Sequence, residues 1–214
     1  MPNLCQLWAA SPAASLKGRL GIEQFDDADD VILNLLIGWV GARFERHCGR
    51  NFDRVAGDTQ EFDGDATELL VNRSPIESVS AWHLKDNETD GWVAETTTPD
   101  YLIRAASNGV KCVVSLNGIA LGSALQRLRI TYTGGYVLPG TTPGAGQTAL
   151  PADIEAAAVE QCAHWYQRRH QLGLQSVSGE GGSVSALGQS GVTPLDLLPA
   201  VLNTLAGYRR LVAI

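Results

Sequence analysis

The chain has 214 residues, 44% of them hydrophobic and 18% charged, with a net charge of −7, a composition ordinary for a globular protein able to bury a real core. Its acidic balance argues against a sequence-independent grip on nucleic acid, because that grip needs clustered Lys and Arg to displace counterions from phosphates. The best candidate membrane span, Val31 to Val40, is interrupted by Asn34 and reaches about half of the roughly twenty apolar residues a bilayer requires.

The start, Met1-Pro2-Asn3-Leu4-Cys5, lacks the basic and apolar pattern of a secretory signal, so synthesis and retention in a cytoplasm are expected. Cys5, Cys48, Cys112 and Cys162 follow no CxxC spacing and read as reduced thiols, not as a disulfide framework. Leu16 to Ile22 predicts one or two helical turns ended by Gly21.

From Asp26 to His47 the pattern is helical. Asp26, Asp27, Asp29 and Asp30 place negative charge on the first turn. Val31, Ile32, Leu35, Leu36, Trp39 and Val40 recur at spacings of three and four, and Leu33 and Ile37 widen the apolar face. A helix this apolar is either a core helix or one covered in part by a neighbouring subunit. Gly49 is placed to end it with a left-handed cap.

From about Asp58 to Tyr136 the signal becomes extended. Glu68 to Val71, Ile76 to Leu84, Tyr101 to Ile103, Val110 to Leu116 and Leu125 to Thr133 read as strands. Leu128, Ile130 and Tyr132 share one face against Arg127, Arg129, Thr131 and Thr133, and Val110, Cys112, Val114 and Leu116 oppose Lys111 and Ser115. Asn87 to Gly91 and Ser107-Asn108-Gly109 are the clearest turns.

Gly140 to Gln147 reads as a flexible connector. Pro151 in a first helical turn, followed by Asp153 and Glu155, opens a helix with Ile154, Ala158, Cys162 and Trp165 along one face and Arg168, Arg169 and His170 at its end. Gly173 to Gly191 is Gly- and Ser-rich and is expected to be a mobile loop. A last amphipathic helix is expected from about Leu195 to Gly207, before an apolar tail with two cations. The expected fold class is α+β: a helical bundle of N-terminal and C-terminal helices with an inserted small antiparallel sheet or barrel. The expected parts are 1–57 (helical), 58–137 (β-rich) and 138–214 (helical, with loop 173–191 and arm 208–214).

Chemistry is sparse. Asp58, Glu61, Asp63, Asp65 and Glu68 lack EF-hand spacing and read as a solvated turn around Asp63-Gly64-Asp65, without a metal. Cys162 and His164 lie two apart on a helix and point about 200° from each other, so they share no ligand set. A Cys/His pair assembled across the fold, such as Cys48 with His164, is an alternative that the inertness of buried thiols disfavours. The glycine runs near Gly179 and Gly188 lack the Gly-Lys-Ser/Thr ending of a phosphate loop. Trp82-His83-Leu84-Lys85 is the one aromatic and cation run resembling a base-stacking surface, and core packing is its better reading. No catalytic residue, metal or cofactor is expected.

Leu20-Gly21-Ile22, the Asp29-Asp30 helix entry and Cys48-Gly49-Arg50-Asn51-Phe52 resemble the opening of the head–tail connector (adaptor) proteins of tailed bacteriophages, in the longer version with a β-rich insertion. In the same order follow Arg73-Ser74-Pro75-Ile76 with Val79, Tyr132-Thr133-Gly134-Gly135-Tyr136, Leu150-Pro151-Ala152-Asp153-Ile154, and His164-Trp165-Tyr166 with Arg168 or Arg169. The resemblance implies a non-enzymatic virion protein of the neck, assembled in the host cytoplasm. It implies a ring of about twelve copies beneath the portal protein, presenting a surface to the next neck or tail protein and passing DNA through its lumen without sequence-specific binding. It further implies that helices carrying Ile32, Leu36, Trp39, Ala158, Cys162 and Trp165 pack the ring, and that Tyr208, Arg209, Arg210 and Leu211 form a portal-docking arm. The alternatives from other classes are a small enzyme using Cys48, Cys162 or His164, and an oligomeric module with a sheet-borne ligand site.

Overall fold

The structure, a computed structural model, describes residues 2–9, 15–87, 89–105, 109–117, 126–169, 177–179, 182–184 and 196–210. In chain order the elements are α1 (Leu16–Leu20), α2 (Asp30–Cys48), β1 (Val55–Phe62), β2 (Glu68–Leu70), β3 (Ile76–Leu84), β4 (Val93–Ala94), β5 (Tyr101–Ala105), β6 (Lys111–Leu116), β7 (Leu128–Gly134), α3 (Ala152–Gln167), β8 (Val177–Gly179), β9 (Gly182–Val184) and α4 (Pro199–Ala206). The fold is α+β, as expected. The chain divides into two compact units. One is built from residues 3–42 and 151–206, the other from 43–150 and 207–214. The boundary falls inside α2, between Ala42 and Arg43.

In the first unit α1 and α3 pack together, and α3 packs on α4. Ser15 caps α1 by accepting from the Gly18 N–H at 3.2 Å, and Gly21 ends it at φ 71°, the left-handed cap its sequence predicts. The expected start of α2 at Asp26 moves to Asp30, because the Asp26 carboxylate accepts from the Ala28 N–H at 3.2 Å and holds a turn. Pro151 stands at the N-cap position, one residue before the first turn where it was expected and without a side-chain cap, and Asp153 and Glu155 lie in the first turn. The α3 face carrying Ile154, Ala158, Cys162 and Trp165 is buried, and Gln161, fully buried, donates to Asp196 O and accepts from Leu198 N. The last helix opens at Pro199 and not near Leu195, since Pro is tolerated in a helix only at its first turn. Most of 173–191 lies outside the described residues. Those within it form the antiparallel pair β8 and β9.

The second unit holds two antiparallel sheets where one sheet or barrel was expected: β1-β7-β3-β4 and β2-β6-β5. Both contribute to one apolar cluster of Leu69, Val71, Ile76, Trp82, Val114, Leu116, Leu128, Ile130 and Tyr132. The alternation of β7 and β6 is as read from sequence, with Leu128, Ile130, Tyr132 and Cys112, Val114, Leu116 turned inward. Sequence reasoning missed the short β4, β8 and β9 and, of the longer strands, β1, whose Asp58 and Glu61 belong to the ladder with β7 and not to a turn. It is a polar edge strand bulged after Val55, so its pattern lacks a hydrophobic alternation to detect. The ends of the segment 140–147 are tied together: the Val137 N–H donates to Thr148 O at 2.9 Å, the Leu150 N–H donates to Val137 O at 3.0 Å, and Gln147 accepts from the Gly144 N–H at 2.9 Å.

Candidate functional site

Two features stand out from residues upward: in the first unit an apolar helix face open to solvent, and in the second a set of buried arginines that fix its short motifs. On α2, Leu33, Leu36, Ile37, Val40 and Phe44 are buried. Val31, Ile32, Leu35 and Trp39 are not: they are 74%, 42%, 52% and 52% exposed. Spacings of four carry Val31, Leu35, Trp39 and Arg43 down one side of the helix, and Arg46 follows Trp39 two turns later. At about 25 cal/mol per Å² of apolar surface, large side chains left in water forgo about 1.5–3 kcal/mol each.

Just before α2 lies a second apolar projection. Phe25 is 90% exposed, between Glu23, Asp26 and Asp27, which are also exposed. The segment is held from beneath by Lys17, which is buried. Its ammonium donates to Gln24 O at 3.2 Å and Asp26 O at 2.7 Å and pairs with Asp30 at 2.6 Å. Nearby, the Tyr166 hydroxyl donates to Asp29, and Arg169 lies over the Tyr166 ring at 3.8 Å from its centroid.

In the second unit the short motifs of the sequence become a network. Arg50 is buried, lies over the rings of Phe52 and Tyr136 at 5.2 and 5.4 Å, and donates to Ser74 O. Arg73 donates to Asp58 at 2.9 Å and to Asp53 O at 2.5 Å, and also pairs with the Asp53 carboxylate. The Arg73 N–H donates to the Tyr132 hydroxyl at 3.2 Å, and burial pushes that phenol up to about 12. Gly134 and Gly135 are required by proximity. A Cβ on Gly135 would stand 2.3 Å from Asp53 O, and one on Gly134 2.8 Å from Arg73 O. Glu45 belongs to the same network, its carboxylate accepting from the Phe52 N–H at 3.0 Å. Sequence reasoning quoted Arg50 and Arg73 within motifs but gave them no role, and passed over Glu45. The detectable signal was two arginines beside an Asp-rich stretch.

The sequence-predicted residues fall into two groups. Ile32 and Trp39 are exposed, while Leu36, Ala158, Cys162 and Trp165 are buried within the chain's own packing. Of the arm, Leu211 lies outside the described residues and Arg209 is exposed. Arg210 is committed to its own unit: its backbone N–H donates to Cys48 O at 2.7 Å, and its guanidinium donates to Leu70 O at 2.7 Å and to Asn72.

The candidate thiol chemistry is muted by environment. All four cysteines are buried, and none is in a disulfide. Burial pushes the Cys48 thiol up to about 11, and a hydrogen bond with Cys5 together with burial raises Cys162 further. Burial lowers His164, helped by Arg168. Among the described residues no group of three His, Cys, Asp or Glu side chains is placed to hold a metal, and no helix is long and apolar enough to cross a membrane. Two open clefts of about 320 and 430 Å³ flank Tyr136 in the β-rich unit. The smaller is lined by Glu77 and Lys111, the larger by Asp53 and Arg54, and neither lining contains a Cys or His.

No protein-family model matches the sequence, and no curated protein does. Solved structures do match. A chain from the neck of an empty GTA particle, computed with C6 symmetry, is 17% identical with a TM-score of 0.59, over 96% of this chain and 92% of that one. A chain from the neck of a native GTA particle, computed with C12 symmetry, is 16% identical with a TM-score of 0.52, over 97% and 95%. This likeness bears out, at the level of the fold, the resemblance to head–tail connectors carried by the sequence motifs.

Proposed function

We propose that the protein is a structural subunit of the neck of a phage-like particle, acting as the connector ring between portal and tail. The observation that carries this reading is the exposed α2 stripe of Val31, Ile32, Leu35 and Trp39, on a chain whose fold matches neck proteins over nearly its whole length. An apolar face left bare in one copy and covered in the next is how identical subunits close a ring through a head-to-tail contact. The C12 symmetry of one matched neck supports a dodecamer.

In this reading the ring sits under the portal protein, receives the next neck or tail protein below, and is a virion component assembled in the host cytoplasm. The net charge of −7 suits a lumen through which DNA slides, since a basic lining would retain the phosphates. Tyr208, Arg209 and Leu211 remain the proposed portal-docking arm, while Arg210 serves as its anchor on the β-rich unit. The role is structural, with the raised thiols of Cys48 and Cys162 outside any nucleophilic chemistry.

The test is native mass measurement and electron microscopy of the full chain, alone and on portal-bearing particles. Wild type is expected to form closed rings, and Leu35→Ser with Trp39→Ser to leave a folded monomer. A chain that stays monomeric in both settings, or rings that survive the double substitution, would overturn the reading.

A further inference from the structure

The exposed face of α2 has a second half besides its apolar stripe. Arg43 lies one turn after Trp39 on the same side, and Arg46 two turns after it, both exposed. Neither takes part in an ion pair among the described residues. The helix thus offers Leu35 and Trp39 as an apolar seat with two guanidinium groups beside it.

The segment before α2 has the opposite chemistry. Phe25 stands 90% exposed, and the exposed carboxylates around it are Glu23, Asp26 and Asp27. Asp26 caps a local turn through the Ala28 N–H, whereas Glu23 and Asp27 take part in no ion pair among the described residues. The segment is not loose. Buried Lys17 grips two of its carbonyls and the Asp30 carboxylate, so the ordering entropy of the loop is already spent in the free chain. An aromatic ring ordered in water by a buried cation gains nothing within its own chain, and preorganisation of this kind lowers the cost of docking.

We infer that Phe25 of one copy docks on Leu35 and Trp39 of the next copy, with Asp26 and Asp27 facing that copy's Arg43 and Arg46. The inference rests on the ring reading above and names the two halves of its subunit contact. The occupant is a second copy because the two surfaces complement each other in shape class and in sign: an aromatic knob among carboxylates, and an apolar seat beside guanidiniums. The seat also has the composition of a contact core, since Trp and Arg are the residues most enriched in such cores. Because the knob and the seat are different patches of one chain, the contact is heterologous. It propagates from copy to copy until the rotation closes, which an isologous dimer through Trp39 does not do.

Charge reversal tests it on the full chain. Asp26→Arg with Asp27→Arg, and Arg43→Asp with Arg46→Asp, are surface changes, and circular dichroism and urea midpoints establish that each chain folds. Native mass measurement across a concentration series then reads assembly. Each reversed pair alone is expected to raise the concentration needed for rings on the order of tenfold, and the four changes together to bring it back toward wild type. Phe25→Ser is expected to abolish rings without lowering the urea midpoint. Wild-type rings that tolerate both reversals and Phe25→Ser overturn this contact and leave the ring reading standing. Rings weakened by each reversal but not recovered by the combination also overturn it, as they place the two patches against different partners. A wild-type chain that stays monomeric throughout overturns both.

Discussion

The backbone N–H of Arg210 donates to the carbonyl oxygen of Cys48 at 2.7 Å, so the end of the long helix α2 is closed by a residue near the chain's C-terminus. The same arginine reaches Leu70 O and Asn72, tying helix end, tail and β2 together. Arg210→Ala is therefore expected to lower stability by about 1–2 kcal/mol, the loss of charge-assisted bonds at a partly exposed site. Removal of everything after Gly207 costs more, because the bond to Cys48 O goes as well, yet leaves a folded chain. Urea midpoints of the three proteins check this, and an Arg210→Ala midpoint equal to wild type would refute it.

Gly135 is held at φ 103° with Asp53 O where a Cβ would lie, while Gly57, at φ 72°, has open space around it. Gly57→Ala is expected to cost about 1–2 kcal/mol from backbone conformation alone. Gly135→Ala adds a collision with backbone that has no rotamer to escape into, and the cost is expected to exceed about 3 kcal/mol or to prevent folding. Equal midpoints for the two variants would sink the argument.

Two groups give the stability opposite slopes with pH. Burial raises Glu45, an effect only partly offset by the hydrogen bond its carboxylate accepts from Phe52 N at 3.0 Å. The folded chain then holds a proton that the unfolded one releases, so this stabilisation is full below pH 4.5 and is lost as pH rises through the higher folded value. Burial and Arg168 lower His164, so its stabilisation is present above pH 6.5 and is lost as pH falls through the lower folded value. Glu45→Gln, which keeps the acceptor for Phe52, is expected to flatten the first slope and raise the midpoint at neutral pH. His164→Gln is expected to flatten the second. Midpoint against pH for the three chains reads both, and curves parallel to wild type contradict them.

The four thiols are all buried, with Cys48 pushed up to about 11. A thiol reagent at pH 8 is expected to titrate none of them within minutes in the native protein and all four after unfolding. A fast-reacting thiol in the native chain would return attention to the enzyme alternative.

Much of this architecture was legible in the sequence where one physical demand acts alone. Gly21 and Gly49 end helices because a left-handed cap favours glycine, and Leu128, Ile130 and Tyr132 alternate because one face of β7 is buried. The β1 edge strand was not legible, since Asp58 is there to meet Arg73, a residue fifteen positions away that no local pattern links to it. The exposure of Leu35 beside the burial of Leu36 was equally hidden: both fit the same helical period, and what separates them is the packing of the rest of the chain. The Asp-rich helix entry showed its charge but not the Lys17 clamp that orders it.

The division of the chain also sets an order of events during synthesis. The first unit takes its two parts from residues 3–42 and 151–206, so α1 waits for α3, which is made more than a hundred residues later. At about 5–20 residues per second a ribosome needs on the order of ten seconds to cross that gap. Throughout it α1 and the thiol of Cys5 lack the α3 side of their final surroundings. The newborn chain is therefore at its stickiest in the middle of its own translation, when premature encounters between neighbouring nascent copies do the most harm.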